Sequence, residues 1–591
     1  MRSGRTFQNL SARENLIELA IGRHIRLSHK KISLSTARTY MIQRNVHRRT
    51  FLKTAGAVPL AAGAAPPATP TDAPANLPVL GEPYELAGKR LPFLNWFYIQ
   101  TGGFSWIDPN GKKVGTGDSL PPGVAQFRHN DQPYGIHIRA LPARRMGPLL
   151  KAERPWEEGS VTITTIIKDG GMYRGWAGPF TTSGDPPGQK HYMYFESADG
   201  MNWKRPDAGV VEYNGSRANN IVNIFETDGG SIFVDPSAPA AERYKLIAEG
   251  PFSRQAVEAY VRKRPGVWDP RSARTKDGGV HAVKGAVSAD GIHWTMFPEP
   301  LVIEVTDTQL TAYYDTRLRK YVAFTRTWPA HERSAHFKSE KRSWTSMRRS
   351  IGRSETSDFH SLPLAETILE PGLDLLPSDV LYTNAKTTYP GAPDQHILFP
   401  SIWHMSRDNT SITMATSHDG RMWHFMPGAP VLSTGPFGDF DGGCIFAHPN
   451  LTELPNGDFI LPYTGYNVPH KYPRKSWKYS LGYAVWPKGR IVALEAAEHG
   501  EFATVTFIPP GRKLRVNAVT PRAGSILVEV AGADRKPLAG RSFAEATPIV
   551  GDHTATVLSW NGNEDLGHPE NSPIFLRFRM DQAQIFSLEF V

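Results

Sequence analysis

Short apolar runs recur along the chain and are cut by Gly, Pro, Asn and Asp. Ser160–Lys168, Lys320–Thr327 and Ser525–Val530 are rich in β-branched and aromatic residues, as strands bounded by turns should be. Outside residues 8–22, no segment keeps a long apolar period of helical spacing. The 49 Pro and 53 Gly residues suit many short strands joined by turns, so the pattern predicts an all-β protein.

A repeat sharpens that class. Ser197-Ala-Asp-Gly-Met-Asn-Trp203 recurs as Ser288-Ala-Asp-Gly-Ile-His-Trp294 and Ser417-His-Asp-Gly-Arg-Met-Trp423, with a degenerate copy at Ser354–Phe359. The unit is about 65 residues, with an insertion in the second, which fits a four-stranded propeller blade. Asp-Gly supplies a hairpin turn, Ser and Asp bond its backbone, and Trp packs it on the sheet. Each unit opens on an acid or amide before an apolar strand: Glu157-Glu158, Asn219-Asn220, Asp307, Asp379 and Asp441. Five openings predict a five-bladed β-propeller over residues 151–500, whose first strands line a channel and gather these polar residues at one mouth. Six alternating runs after Glu501 predict a C-terminal β-sandwich over 501–591. Residues 78–150 form an N-terminal strand region expected to pack on the propeller or close its last blade.

Charge changes the picture at one end only. The chain has 67 Lys+Arg and 57 Asp+Glu, a formal +10. Residues 1–53 hold 12 basic and 2 acidic side chains and account for all of it. The remainder is formally neutral, which gives no reason to expect nucleic acid as a partner. Within the basic end, His47-Arg-Arg-Thr-Phe-Leu-Lys53 precedes a weakly apolar Ala/Gly stretch ending at Ala65. That order of features is a twin-arginine export signal. Residues 1–65 are therefore expected to be a leader, with 66–77 a linker. Residues 1–40 are read as an over-extended start, Met41 being the natural one. The apolar stretch is too short to span a bilayer, no lipobox cysteine follows, and Cys444 is the sole cysteine. A periplasmic or extracellular protein without a membrane anchor is expected.

The five blades, the Ser-x-Asp-Gly-x-x-Trp hairpins and the appended sandwich together resemble the five-bladed propeller glycoside hydrolases of families 32 and 43, over roughly residues 150–591. Trp106-Ile-Asp-Pro-Asn-Gly111 is similar to the opening motif of family 32, without the Asn that precedes its Asp, and puts Asp108 at the nucleophile position. Trp268-Asp-Pro-Arg271 matches a second motif in part. The resemblance implies a carbohydrate substrate, no required cofactor, and room for a structural Ca²⁺ in the channel.

Glycosidic cleavage uses two carboxyl groups, one protonated and one ionised, and neighbouring like charges separate their pKa values. Glu157, Asp307, Asp379 and Asp441 are the candidate catalytic acids. Glu157 and Asp441 are nominated as the pair and the others as supporting acids. Arg326, Tyr382, Trp403, His404 and His470 are the candidate sugar-binding residues, with Tyr389 and Tyr466 beside them. His448 and His470 with Asp441 are a weaker alternative as metal ligands, since no tight ligand spacing supports them. Two other functions compete with hydrolysis: a non-catalytic propeller binding glycans or proteins, and a glycoside phosphorylase using Arg326, Arg349 and His470 to hold phosphate. A sialidase is a minor alternative, because it would require six blades.

Overall fold

The computed structural model describes residues 80–107, 126–178, 192–272, 275–330, 334, 336, 348–473 and 476–591. The export signal, the linker and Asp108 lie outside the described residues. Leu80–Val591 forms one compact unit.

Five antiparallel four-stranded blades follow one another along the chain. Blade one comprises Thr165–Asp169, Met172–Ala177, Tyr192–Ser197 and Ile221–Val222. Blade two comprises Asp228–Val234, Tyr244–Phe252, Val280–Ser288 and Trp294–Met296. Blade three comprises Thr311–Asp315, Lys320–Thr327, Ser350–Thr356 and Glu366–Leu369. In blade four every strand is broken once. Asp379–Leu381, Ser401–His404, Asn409–Ile412 and Leu432–Ser433 form one half. Thr387–Tyr389, Ala392–Leu398, Ala415–Ser417 and His424–Phe425 form the other. Blade five takes Cys444–Ala447, Phe459–Tyr466 and Tyr479–Trp486, and its fourth strand is Arg144–Met146, from ahead of blade one.

The core is laid down between blades. Trp176, Tyr194 and Val222 of blade one pack on Ile232, Leu246 and Trp294 of blade two. Phe233 and Ile247 meet Leu310 and Ala323 of blade three, and Val322 and Phe324 meet Leu381, Leu398 and Trp423 of blade four. Ile397 and Ile412 pack with Ile445 and Leu461 of blade five, and Ile460, Leu481 and Tyr483 return to Ile166 and Phe195 of blade one. A sheet is apolar on faces that must be covered, and a closed ring covers both faces of every blade.

The repeated motif sits where the third strand turns into the fourth. The Ser197 Oγ accepts from Gly200 N at 2.9 Å, and Asp199 Oδ1 accepts from Met201 N and Asn202 N at 2.8 Å each. These backbone donors hold the Asp199 carboxyl well below the usual carboxylate range. Trp203 Nε1 donates to Tyr483 of blade five at 2.9 Å, whereas Trp294 and Trp423 close on their own Gly291 and Gly420 carbonyls at 3.0 Å. The longer second repeat carries a helix, Arg254–Lys263, with Ser253 accepting from Ala256 N as its N-cap.

Two expectations about blade limits change. Ile221–Val222, read as opening blade two, is the outer strand of blade one. Blade two opens instead at Asp228. The C-terminal β-sandwich begins at Val492 and is built around a single strand, Ile574–Phe590, where two were expected. That strand bonds Ser525–Gly532 with its first half and Leu514–Val519 with its second. On its other edge it pairs with Val492–Ala503. The N-terminal strands Tyr84–Glu85, Arg90–Leu91 and His137–Ala140 complete this nine-stranded sheet.

Candidate functional site at the channel mouth

In an antiparallel blade, the start of the first strand, the end of the second and the start of the third lie at one edge of the sheet. Around the ring those edges form one mouth of the channel.

Blade two brings carboxylates there. Asp228 and Glu249 are directly opposite in the register, so their side chains share a face. Glu249 is buried, with its carboxylate on His281 Nδ1. Burial raises the Glu249 pKa above its ordinary value, His281 opposes this, and the negative charges of Asp228 and Asp307 add to the rise. Asp307 is brought close by Gly229. At φ +57°, Gly229 packs so tightly on Thr308 that a Cβ there would lie 2.7 Å from the Thr308 Oγ1. Only glycine allows that approach. Tyr192 of blade one stands beside Thr227 and Asp228, and burial pushes its hydroxyl up to about 12.

Blades three and four supply cations and rings. Arg326 is buried and donates to the Asp307 carboxylate and to the Tyr382 carbonyl. Its guanidinium lies 4.3 Å from the Tyr382 ring centre. Arg349 lies 5.6 Å from the same ring and 5.5 Å from Trp403. Burial and the nearby Arg326 charge lower the Arg349 pKa. His470, from the loop after blade five's second strand, contacts Tyr382 at 4.7 Å and Trp403 at 5.1 Å between ring centres. Arg326, Tyr382, Trp403 and His470 are thus brought together, while His404 belongs to a different contact set. Of the two supporting aromatics, Tyr466 packs against Phe446 and Trp477 beside this group, whereas Tyr389 is buried against Phe459.

The four nominated acids separate. Asp307 stands in the mouth. Glu157 is buried in a short 3-10 turn, where it accepts from Glu153 N at 2.6 Å and pairs with Arg205 at 2.5 Å. Asp441 is buried and held by the Tyr463 hydroxyl at 2.8 Å and by Arg145 at 3.4 Å. Asp379 is buried against His404, with Nδ1 at 3.1 Å. Glu249 and Asp228 are the carboxylates that sequence reading missed. Asp228 is hidden by the misplaced start of blade two, and Glu249 lies in the second half of a second strand, where no repeat marks it.

Polar side chains next to the first strands of blades three, four and five hydrogen-bond one another. Asn384 donates to the Gln309 carbonyl at 2.6 Å, Gln309 Oε1 accepts from Ala385 N at 2.9 Å, and the His448 Nε2 and Thr464 hydroxyl are 2.6 Å apart. Burial lowers the His448 pKa to about 3, so its ring is neutral. Engaged amide, hydroxyl and imidazole groups do not fit a Ca²⁺ ion, which takes six to eight oxygen ligands. Among the described residues, no three His, Cys, Asp or Glu side chains are grouped as metal ligands.

No known family profile matches the chain, and neither does any curated protein. Solved structures similar to it include glycoside hydrolases and an N-acetylgalactosamine deacetylase from F. plautii. One is described only as a glycoside hydrolase, 11% identical with a TM-score of 0.38, covering 59% of this chain and 92% of that one. A thermostable family-43 glycoside hydrolase is 14% identical with a TM-score of 0.33, covering 57% and 89%. A family-32 β-fructofuranosidase from Bombyx mori is 10% identical with a TM-score of 0.32, covering 78% and 94%.

Proposed function

We propose that the protein is a glycoside hydrolase acting at the channel mouth, with Glu249 as the general acid and Asp228 or Asp307 as the ionised partner. The observation that carries this reading is Glu249, buried directly opposite Asp228 with its carboxylate on His281. Burial raises its pKa and the charges of Asp228 and Asp307 add to the rise, and cleavage requires one carboxyl kept protonated beside one kept charged. Tyr382 and Trp403 offer ring faces for a sugar, and Arg326 fixes Asp307. Glu157 and Asp441, each tied into a local hydrogen-bond set, are left out of the acid pair.

The test is hydrolysis of a panel of aryl glycosides and polysaccharides by the wild type and by Glu249→Gln. A general acid contributes roughly 100- to 10,000-fold, so Glu249→Gln should lose at least about 100-fold in kcat on natural leaving groups. The wild-type rate should fall as pH rises through the raised Glu249 pKa, and that fall should vanish in the variant. Full activity in Glu249→Gln would remove the assignment.

A second reading is favoured by one feature. The Nε atoms of Arg326 and Arg349 are buried without hydrogen-bond partners, which suits an incoming anion. If phosphate rather than water is the acceptor, turnover will require phosphate and release a sugar phosphate. Absence of turnover across the panel, with or without phosphate, would favour a glycan-binding propeller. We also place the protein outside the cytoplasm, on the strength of Arg48-Arg49. Replacing both with Lys should retain it in the cytoplasmic fraction.

A further inference from the structure

Asp379, His404, Asn409 and Ser411 occupy one face of blade four, on three adjacent strands. Asp379 is directly opposite His404, His404 is opposite Asn409, and Ile402 is opposite Ser411. Opposed residues share a face and positions two apart return to it. The same face carries Leu381 and Ile402, which pack against Val322 and Phe324 of blade three. This face is therefore turned toward blade three.

On it the three polar side chains are in line. Asp379 Oδ2 lies 3.1 Å from His404 Nδ1, and His404 Nε2 lies 2.9 Å from the Ser411 hydroxyl. A carboxylate against Nδ1 places the imidazole proton there and leaves Nε2 as the acceptor. The Ser411 O–H then donates to Nε2, which is how a base holds a serine nucleophile. Asp379 is 3% exposed and Ser411 7%. The second Asp379 oxygen is buried without a hydrogen-bond partner, as is the Asn409 side-chain oxygen.

This row opens onto a cavity. A space of about 500 Å³ is lined by His404, Asn409 and Ser411 together with Arg407, Leu375 and Phe425. Its size is that of a small-molecule site. Asp379 is not on the wall but behind His404, as an orienting carboxylate should be.

We propose that Ser411, His404 and Asp379 form an acyl-transfer site, separate from the channel-mouth carboxylates, that hydrolyses small acyl esters of polyhydroxylated alcohols. Ser411 Oγ attacks the ester carbonyl carbon and its proton passes to His404 Nε2. The amide of Asn409, beside Ser411 on the same strand, donates to the oxyanion that forms. Collapse breaks the bond to the alcohol oxygen, which leaves with the proton from Nε2. Water then attacks the acyl-serine, returns a proton through Nε2, and releases the carboxylic acid and free Ser411. Asp379 is a positioning residue, and Arg407 at the exposed edge of the cavity takes hydroxyl groups of the alcohol.

The experiment uses the full chain in two arms. In the first, the native protein is treated with a fluorophosphonate and mapped by peptide mass. In the second, hydrolysis of 4-nitrophenyl acetate and of peracetylated glucose is compared between wild type and Ser411→Ala, with melting temperature recorded for both. The expected result is an adduct on Ser411, slowed by acetylated sugar, and a loss of at least about 100-fold in kcat for Ser411→Ala at unchanged melting temperature. Asp379→Asn should lower kcat with little change in KM, an effect that a purely structural hydrogen bond would not produce. The native-protein arm decides the matter even if Ser411→Ala fails to fold. A map without an adduct on Ser411, or equal ester hydrolysis in folded Ser411→Ala, overturns the proposal.

Discussion

Lys386 is buried between blades three and four, with Nζ donating to the Thr387 carbonyl at 2.7 Å and 4.3 Å from the centre of the Tyr313 ring. Burial lowers its pKa from the ordinary 10.5 to about 7, with Asp315 opposing the shift and Arg353 reinforcing it. The folded protein thus binds fewer protons here than the unfolded chain between pH 7 and 10.5. Stability must rise with pH across that window, by about 1.4 kcal/mol per pH unit. Below pH 7 both states carry the proton and the full cost of holding the ammonium is present. Lys386→Met keeps the apolar stem and removes the titration. Urea unfolding of both proteins at pH 6, 7, 8 and 9 measures the difference. Relative to the variant, the wild type should gain roughly 2 to 3 kcal/mol from pH 6 to pH 9. Stability curves that run parallel over this range would show that Lys386 is charged in the fold, and the reasoning would fail.

Glu304 gives the opposite sign. It is buried and its pKa is raised to about 7, so the folded state binds the extra proton between the unfolded value of 4.5 and 7 and stability falls as pH rises through that window. Glu304→Gln should remove a destabilisation of about 3 kcal/mol at pH 8 and change little at pH 4, as read by urea midpoints. Arg205→Ala leaves the buried Glu157 carboxylate without its cation and should cost about 3–5 kcal/mol in chemical denaturation. In Gly291→Ala, a Cβ at φ +81° would meet the Trp176 ring at 2.6 Å. A loss of roughly 3 kcal/mol follows from strain and overpacking, checked by the same measurement.

The Ser-x-Asp-Gly-x-x-Trp hairpins made the ring legible, because their turn chemistry is local and each copy falls at the same bend of its blade. What the sequence obscured depends on context. Ile221–Val222 has the apolar texture of any strand, and only its pairing with Tyr192–Met193 assigns it to blade one. Asp581-Gln582 looks like a turn between two strands. With Gln582 at φ 46° and the neighbouring pairing shifted in register, the chain continues there as one strand. The sequence offers Asp379 as a supporting catalytic acid and His404 as a sugar-binding residue. Their partnership with Ser411 follows from strand register, which no spacing along the chain reveals.

Arg145 pairs with Ala484, so the last blade is finished by a strand made roughly 340 residues earlier, and loop closure over that length is slow. During synthesis this segment must wait for nearly the whole ring before it has an edge to join. Blade five's third strand stays an unpaired edge, open to pairing with another chain, until that happens. The contact therefore acts as a check on completion: a chain cut short before Tyr479 lacks the edge that Arg144–Met146 needs.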